Sequence, residues 1–209
     1  MKLLRQTIRR ILLESPCDTT NNKIFQAIEE LAFHRLKVHW NKSSRGFVIK
    51  IVPDNGGDDA AYLDASGVYP DPPCRSAFII AYTEVSPPYR HNSGFGALIY
   101  DIALELAGKK GLASDRMSVS RFKSGAIRMW EYFYSSDDYD KKPFDNENGE
   151  FTPNDPNDDC EAESYLKHGG DYGDDQEYFQ SHPLNNVYYK KDQSQPTIRC
   201  LREMKLVLE

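Results

Sequence analysis

Residues 77–107 read AFIIAYTEVSPPYRHNSGFGALIYDIALELA, and this stretch decides the fold. Its opening apolar run is typical of a strand buried on both faces, which belongs near the middle of a sheet. Its closing part repeats apolar side chains with the 3.6-residue period of a helix, at Leu98, Ile99, Ile102, Ala103, Leu106 and Ala107. The stretch therefore predicts a central strand, a glycine-rich turn and a helix that ends before Gly111.

The glycine-rich turn places Gly94 and Gly96 where the strand gives way to the helix. Backbone N–H groups at a helix start lack intrahelical partners and sit at the positive end of the helix dipole. Glycines there let a phosphate approach the backbone closely. The Lys-Ser/Thr pair of a P-loop is absent, so the turn favours a pyrophosphate site of another kind, with a plain tight turn as the alternative.

The flanking segments predict an α/β (α+β) domain with a mostly antiparallel sheet flanked by helices. Residues 23–37 and 126–135 have helical periodicity, and residues 45–53, 60–67 and 112–120 have strand character. Two later segments, NVYYKK (186–191) and TIRCLREMKLVLE (197–209), are predicted to return as strands. The predicted organisation is an appended helix (1–15), a core (23–135), an acidic loop-rich segment (136–182) and C-terminal strands that complete the core (183–209).

Composition limits the setting of this 209-residue chain. One domain of this size can build a core without a disulfide or a metal. The four cysteines show no CxxC pairing, which favours a reducing, cytoplasmic interior, and no run approaches the roughly 18 apolar residues of a membrane span. No metal site is predicted, since DNENGE (145–150) departs from a calcium loop and Cys160 with His168 lacks a partner pair.

Charge is unevenly distributed along the chain. Residues 1–50 hold ten Lys or Arg against four acids, whereas residues 131–180 hold sixteen acids against three Lys. An acidic segment attracts amines and polyamines and repels nucleic acid, so a nucleic-acid partner is not expected. A solvated acidic loop without a partner is the alternative.

The strand, turn and helix of residues 84–112 resemble the signature of the GNAT acetyltransferase superfamily, in which a central strand leads through Arg/Gln-x-x-Gly-x-Gly/Ala into a helix. The segment SVSRFKSGAIRMWEYFY (118–134) is similar to the second motif of that family, where an Ala precedes an aromatic residue by four positions. More narrowly, these sequence segments resemble those of a divergent GNAT-like group found in tailed phages. The resemblance covers roughly residues 47–135.

The resemblance implies an N-acyltransferase that uses acetyl-CoA and a small-molecule or protein amine acceptor. Backbone groups of Thr83 to Val85 would contact the pantetheine arm. The turn formed by Ser93, Gly94, Phe95, Gly96 and Ala97 would hold the pyrophosphate. Glu84 is the nearest candidate for the general base, with an ordinary strand-end carboxylate as the alternative.

The sequence departs from the family pattern at two places. Arg90 lies four residues before Gly94, where the pattern has three. Trp130 occupies the position of the tyrosine that serves the family as general acid, and an indole cannot deliver that proton. By helical geometry Tyr134 is the better-placed substitute, although Trp130 and Tyr134 are also ordinary core residues.

These departures support a second hypothesis, a GNAT-fold protein that has lost catalysis and serves as a binding or virion-associated module. Residues 1–14 form a basic amphipathic pattern that could dock on a capsid or another partner. The sequence ILLE before Ser15 is similar to sites cut by prohead proteases of tailed phages. That origin would place the protein in the host cytoplasm or inside the virion.

Overall fold

A computed structural model describes Cys17 and residues 22–66, 77–90, 93–114, 125–143 and 183–208. The predicted N-terminal helix, its cleavage site and residues 144–182 of the acidic segment lie outside the described residues. The described helices are α1 (Asn22–His34), α2 (Phe95–Ala107), α3 (Gly125–Ser135) and α4 (Pro196–Glu203). The strands are β1 (Leu36–Lys42), β2 (Gly46–Pro53), β3 (Ala61–Ser66), β4 (Phe78–Val85), β5 (Leu112–Ser114), β6 (Tyr139–Pro143) and β7 (Asn186–Lys190).

The seven strands form one mixed sheet in the order β1-β2-β3-β4-β5-β7-β6. Every neighbouring pair is antiparallel except β4 and β5, which run parallel. A parallel pair needs a crossover connection, and α2 provides it between β4 and β5. The predicted α+β class, the mostly antiparallel sheet and the central place of β4 are therefore confirmed.

Helix α2 is the centre of the hydrophobic core. Eleven of its thirteen residues are buried, so it is enclosed on nearly all sides and does not lie on the surface with one buried stripe. It packs against α1 and against the face of the sheet that carries Val38, Ile49 and Leu63. Within the described ranges, no helix combines the length and the apolar character needed to cross a bilayer.

Two carboxylates are buried within α2 and share one lysine from β7. Lys190 Nζ lies 2.8 Å from Asp101 Oδ2 and 2.6 Å from Glu105 Oε1. Thr197 Oγ1 also donates a hydrogen bond to Asp101 Oδ2 at 2.6 Å. Buried charges cost free energy unless they are paired and hydrogen bonded, and this cluster meets both conditions.

Glu105 additionally caps helix α4, whose own N-cap residue, Gln195, makes no side-chain capping bond. The backbone N–H groups of Thr197 and Ile198 donate to the two Glu105 carboxylate oxygens at 2.9 and 2.8 Å. A carboxylate there satisfies N–H groups that the helix leaves unpaired and complements the helix dipole. One side chain thus joins α2, α4 and β7.

The pKa values of this cluster shift in directions that its geometry explains. Burial raises the pKa of Glu105, and the Lys190 ammonium and the Ile198 N–H offset only part of that shift. Burial alone would lower the pKa of Lys190, but the two carboxylates reverse the effect and raise it. The Lys190 ammonium is therefore retained to higher pH than that of an ordinary lysine.

The structure corrects several sequence predictions. TIRCLREMKLVLE, predicted as a strand, begins as helix α4, whose start depends on the distant Glu105. Strands β1 and β6 were not predicted, because β1 follows α1 after one residue and β6 has the polar sequence YDKKP. Strand β4 is buried on both faces only in its first part, and Tyr82 is 53% exposed.

The two ends of the described chain meet at helix α4. Cys17 and Cys200 form a disulfide across 183 residues, a pairing that no spacing rule in the sequence indicated. Disulfides persist mainly in oxidising compartments. This bond therefore disagrees with the reducing environment that the cysteine pattern was expected to favour. After α4, the backbone of Leu206 and Leu208 hydrogen bonds with Val38 and extends the sheet beyond β1.

Replacing Lys190 with Met should lower the free energy of unfolding by about 3 kcal/mol, because two buried carboxylates would lose their counter-charge. Lys191→Met is the matched control, since Lys191 is half exposed and lies 4.0 Å from an exposed Asp140. We expect that control to change stability by less than about 0.5 kcal/mol in urea unfolding.

The same pair of variants tests the direction of the Lys190 shift. A raised pKa means that the stabilisation is complete below the ordinary lysine value of 10.5 and is lost as pH rises through the higher folded value. The stability gap between wild type and Lys190→Met should therefore narrow as pH rises above 10.5. Equal stability of the two proteins at neutral pH would contradict the role given to this cluster.

Candidate functional site

Among the described residues, the C-terminal half of β4 has an open edge on its β5 side. Strand β5 pairs with β4 only from Phe78 to Ile80 and ends at Ser114. Ala81 to Val85 therefore have no described strand partner on the β5 side, while β3 pairs with Tyr82 to Val85 on the other side. An extended ligand with amide groups can hydrogen bond to such an edge as an added strand would.

A cavity of about 770 Å³ lies beside this open edge. It runs between the β4 edge, the turn before α2 and the first half of α3. Its lining residues are Ile80–Val85, Tyr89, Arg90, Ser93–Ala97, Tyr100, Ser114, Gly125, Ala126, Met129 and Trp130. All of the cofactor-binding residues predicted from sequence, together with Glu84, therefore lie around one cavity.

Gly94 is required by the fold itself. Its φ of 72° is in the left-handed region, and a Cβ there would lie 3.0 Å from Ala27 Cβ on α1. The following helix start is ordered by Ser93, whose hydroxyl accepts a hydrogen bond from the Phe95 N–H at 3.2 Å and donates to the Tyr89 carbonyl at 2.5 Å. Gly94 thus lets the turn pack against α1 and directs the α2 N-terminus toward the cavity.

Gly96 is not required by the fold. It lies in the first turn of α2, and a Cβ at this position would lie 3.9 Å from Val85 Cγ2, which is an ordinary contact. The space beside Gly96 belongs to the cavity that the β4 edge also lines. Its backbone N–H is among the first of the helix, which have no intrahelical acceptor, so a bound anion could accept from it.

Glu84 is already engaged by two neighbours. Its carboxylate accepts a hydrogen bond from Tyr82 Oη at 2.5 Å and lies 3.2 Å from Arg90 Nη2. Arg90 also donates through Nε to the Val85 carbonyl at 2.9 Å, which holds the guanidinium beside the end of β4. The sequence prediction noted Arg90 only as a departure in spacing, whereas the structure places it on the cavity wall.

Helix α3 presents Trp130 to the cavity, and Tyr134 is not among the lining residues. Lys141 Nζ instead lies over the Tyr134 ring, 4.0 Å from its centroid. Trp130 is fully buried, and its ring packs against those of Tyr100, Phe133 and Tyr188. The structure therefore places Glu84 and Trp130 around one cavity and Tyr134 elsewhere.

Tyr100 is a cavity residue that the sequence prediction missed. It lies on α2, shares a hydrogen bond with Thr83 of β4 and has its pKa raised by burial, so it stays neutral. Its position between Ile99 and Asp101 fits an ordinary buried helix face. The sequence feature that could have identified Tyr100 as a cavity residue is its position. It lies about one and a half turns after the glycine turn, on the helix that follows the predicted cofactor-binding strand.

The described residues contain no group of three or more His, Cys, Asp or Glu that could hold a metal ion. The cavity offers backbone groups, hydroxyls, one guanidinium and one carboxylate to a ligand. No family model matches this chain, and no curated protein or solved structure shows significant similarity to it. Its function has to be inferred from the geometry of this cavity.

Gly94 and Gly96 should respond oppositely to alanine. Gly94→Ala should destabilise the protein by about 1–2 kcal/mol, because of its positive φ, with the crowding at Ala27 adding to this. Gly96→Ala should leave stability unchanged or raise it by up to about 1 kcal/mol, since alanine favours helices and has room here. Thermal unfolding measures both. Equal losses would mean that Gly96 is also structural.

Proposed function

We propose that this protein is an N-acyltransferase that uses an acyl-CoA, with acetyl-CoA as the expected donor, and a cationic amine as acceptor. The observation that carries the proposal is the continuity of the open β4 edge with the glycine turn of α2 along one cavity. An extended amide-bearing arm and a pyrophosphate need these two surfaces side by side. The resemblance to the GNAT superfamily and the mostly antiparallel sheet agree with it.

The donor would lie along the cavity with its pyrophosphate at the α2 N-terminus and its pantetheine arm along β4. Its pyrophosphate would accept hydrogen bonds from the α2 N-terminus at residues 93–97, where Gly96 leaves room for it. Its pantetheine arm would then follow the backbone of Thr83 to Val85, so that the thioester lies at the part of the β4 edge that carries Glu84. The five residues from Ala81 to Val85 span about 13 Å of extended strand, which sets the scale of this track.

The reaction would be a direct transfer. The amine nitrogen attacks the thioester carbonyl carbon, the new C–N bond forms, the C–S bond breaks and CoA leaves as its thiolate. Glu84 is the candidate base that takes the amine proton. Tyr82 and Arg90 hold its carboxylate at the end of β4, so the base would act at the edge along which the donor lies.

A second cavity that Glu84 also lines supports the proposal of a cationic acceptor. A smaller cavity of about 280 Å³ is lined by Asp59, Tyr62, Tyr82, Glu84 and Ser86, so Tyr82 and Glu84 belong to both cavities. Two of these lining residues already contact an ammonium, because Lys50 Nζ is 2.8 Å from Asp59 and 5.3 Å from the Tyr62 ring centroid. Tyrosine faces and carboxylates are the groups that attract such cations.

Acetyl-CoA should raise the melting temperature of the wild-type protein, because selective binding to the folded state stabilises it. Gly96→Glu should abolish that shift, since a bulky carboxylate at this position would occupy the space beside the α2 N-terminus and repel phosphate. Ser194→Glu adds the same charge at an exposed position outside the cavity and should keep the shift. An unchanged melting temperature of the wild-type protein at millimolar acetyl-CoA would contradict the proposal.

The second candidate is a cofactor-binding module without catalysis, and Trp130 favours it. The α3 residues that line the cavity are Gly125, Ala126, Met129 and Trp130, and none of them can donate a proton to a thiolate. This candidate retains the binding role of the β4 edge and the glycine turn. Residues 1–14 would then serve as its docking segment.

Thiol release from acetyl-CoA in the presence of a panel of amines, including spermidine and lysine-containing peptides, separates the two candidates. The transferase should release thiol at a rate that falls at least about tenfold in Glu84→Gln, which removes the base but keeps the shape of the side chain. Glu203→Gln is a control on the exposed end of α4. A melting shift without amine-dependent thiol release would favour the binding module.

A further inference from the structure

Arg90 is the one basic side chain among the described residues that line the large cavity. Its guanidinium contacts two groups at the end of β4. Nη2 lies 3.2 Å from Glu84 Oε1, and Nε donates a hydrogen bond to the Val85 carbonyl at 2.9 Å. A single cation therefore engages both the candidate base and the last carbonyl of β4.

Val85 is also the residue at which β4 approaches the glycine turn. A Cβ on Gly96 would lie 3.9 Å from Val85 Cγ2, so the first turn of α2 lies beside the residue that Arg90 contacts. The proposed donor would pass from its pantetheine arm to its pyrophosphate at this place. The Arg90 guanidinium is thus held where the two parts of the donor would join.

The contact between Arg90 and Glu84 can be exchanged at little cost. Their side chains are 53% and 44% exposed, and ion pairs with such exposure contribute little to stability because water screens them. A pyrophosphate carries more negative charge than one carboxylate, and a guanidinium can bind two phosphate oxygens at once. Phosphate is therefore the stronger partner for Arg90.

We infer that Arg90 exchanges partners when the donor binds, leaving Glu84 and pairing with the pyrophosphate. The inference rests on the proposed function, because it requires the pyrophosphate at the α2 N-terminus. In the free protein Arg90 holds one oxygen of the candidate base, and after the exchange that oxygen is open to the amine. Arg90 is a binding residue for the donor and a positioning residue for Glu84.

The exchange links the two cavities that share Glu84. An amine in the small cavity competes with Arg90 for the Glu84 carboxylate as long as the large cavity is empty. Donor binding removes that competition, so donor and acceptor strengthen each other's binding by the same factor. Glu84 thereby becomes available as a base when the acyl group is in place.

Titration calorimetry with free CoA tests the exchange without requiring catalysis. Arg90→Gln should weaken CoA at least about tenfold, because the phosphates would lose a charged partner. Glu84→Gln should instead tighten CoA about two- to fivefold, because a glutamine competes less well for the guanidinium. In the double variant that gain should disappear, and the affinity should equal that of Arg90→Gln.

Two controls separate the exchange from a general effect of charge. Asp64→Asn removes the same charge from β3, opposite Tyr82 in the register and outside the lining of both cavities. It should change CoA affinity by less than about 1.5-fold, because solvent and salt screen a charge that makes no direct contact. Dephospho-CoA, which keeps the pyrophosphate but lacks the 3′-phosphate, should show the same gain in Glu84→Gln.

The outcomes separate this inference from the proposed function. If acetyl-CoA binds the wild-type protein but Glu84→Gln binds CoA no tighter, the exchange is overturned and the function stands. If the gain persists in the Arg90→Gln background, Glu84 acts on the phosphates by charge alone and the exchange is also overturned. If the gain is lost with dephospho-CoA, the assignment to the pyrophosphate is wrong. If acetyl-CoA does not bind the wild-type protein, both the function and the inference are overturned.

Discussion

The carboxylate of Glu105 is the constraint on which the rest of the structure depends. It is fully buried in the central helix, and it accepts from the Lys190 ammonium and from two backbone N–H groups of α4. Because an unpaired carboxylate in that position would be costly, the enclosed position of α2 depends on the presence of both β7 and α4. The β4 edge and the glycine turn are positioned by α2, so the geometry of the cavity also depends on this buried ionic cluster.

Local patterns in the sequence predicted the parts of the fold that depend on local chemistry. The period of α2 and the apolar run of β4 identified the centre of the sheet, and the glycines identified the turn between them. Helix α4 was assigned as a strand because its N-terminal partner is Glu105, some ninety residues earlier in the chain. The short polar strand β6 pairs with β7 across a long stretch of sequence, so no window of residues around it contains the reason for its structure.

The candidate site was predictable in its backbone but less so in its side chains. Gly94 and Gly96 share one motif, yet the first is needed for a positive φ and close packing, whereas the second leaves space that a ligand can use. Trp130 was identified from sequence as a substitution for a tyrosine, but its complete burial depends on which rings surround it. Tyr100 was missed because a tyrosine on a buried helix face carries no sign of the cavity it borders.

The bond between Cys17 and Cys200 turns most of the chain into a covalent ring. Within that ring, one cut in the peptide backbone cannot release a fragment, and the pieces on either side of it remain part of one molecule. The enclosed part includes all seven strands of the sheet and the whole wall of the cavity. A nicked protein would therefore keep its halves at high effective concentration, so the cavity could reassemble after damage that would separate an open chain into two.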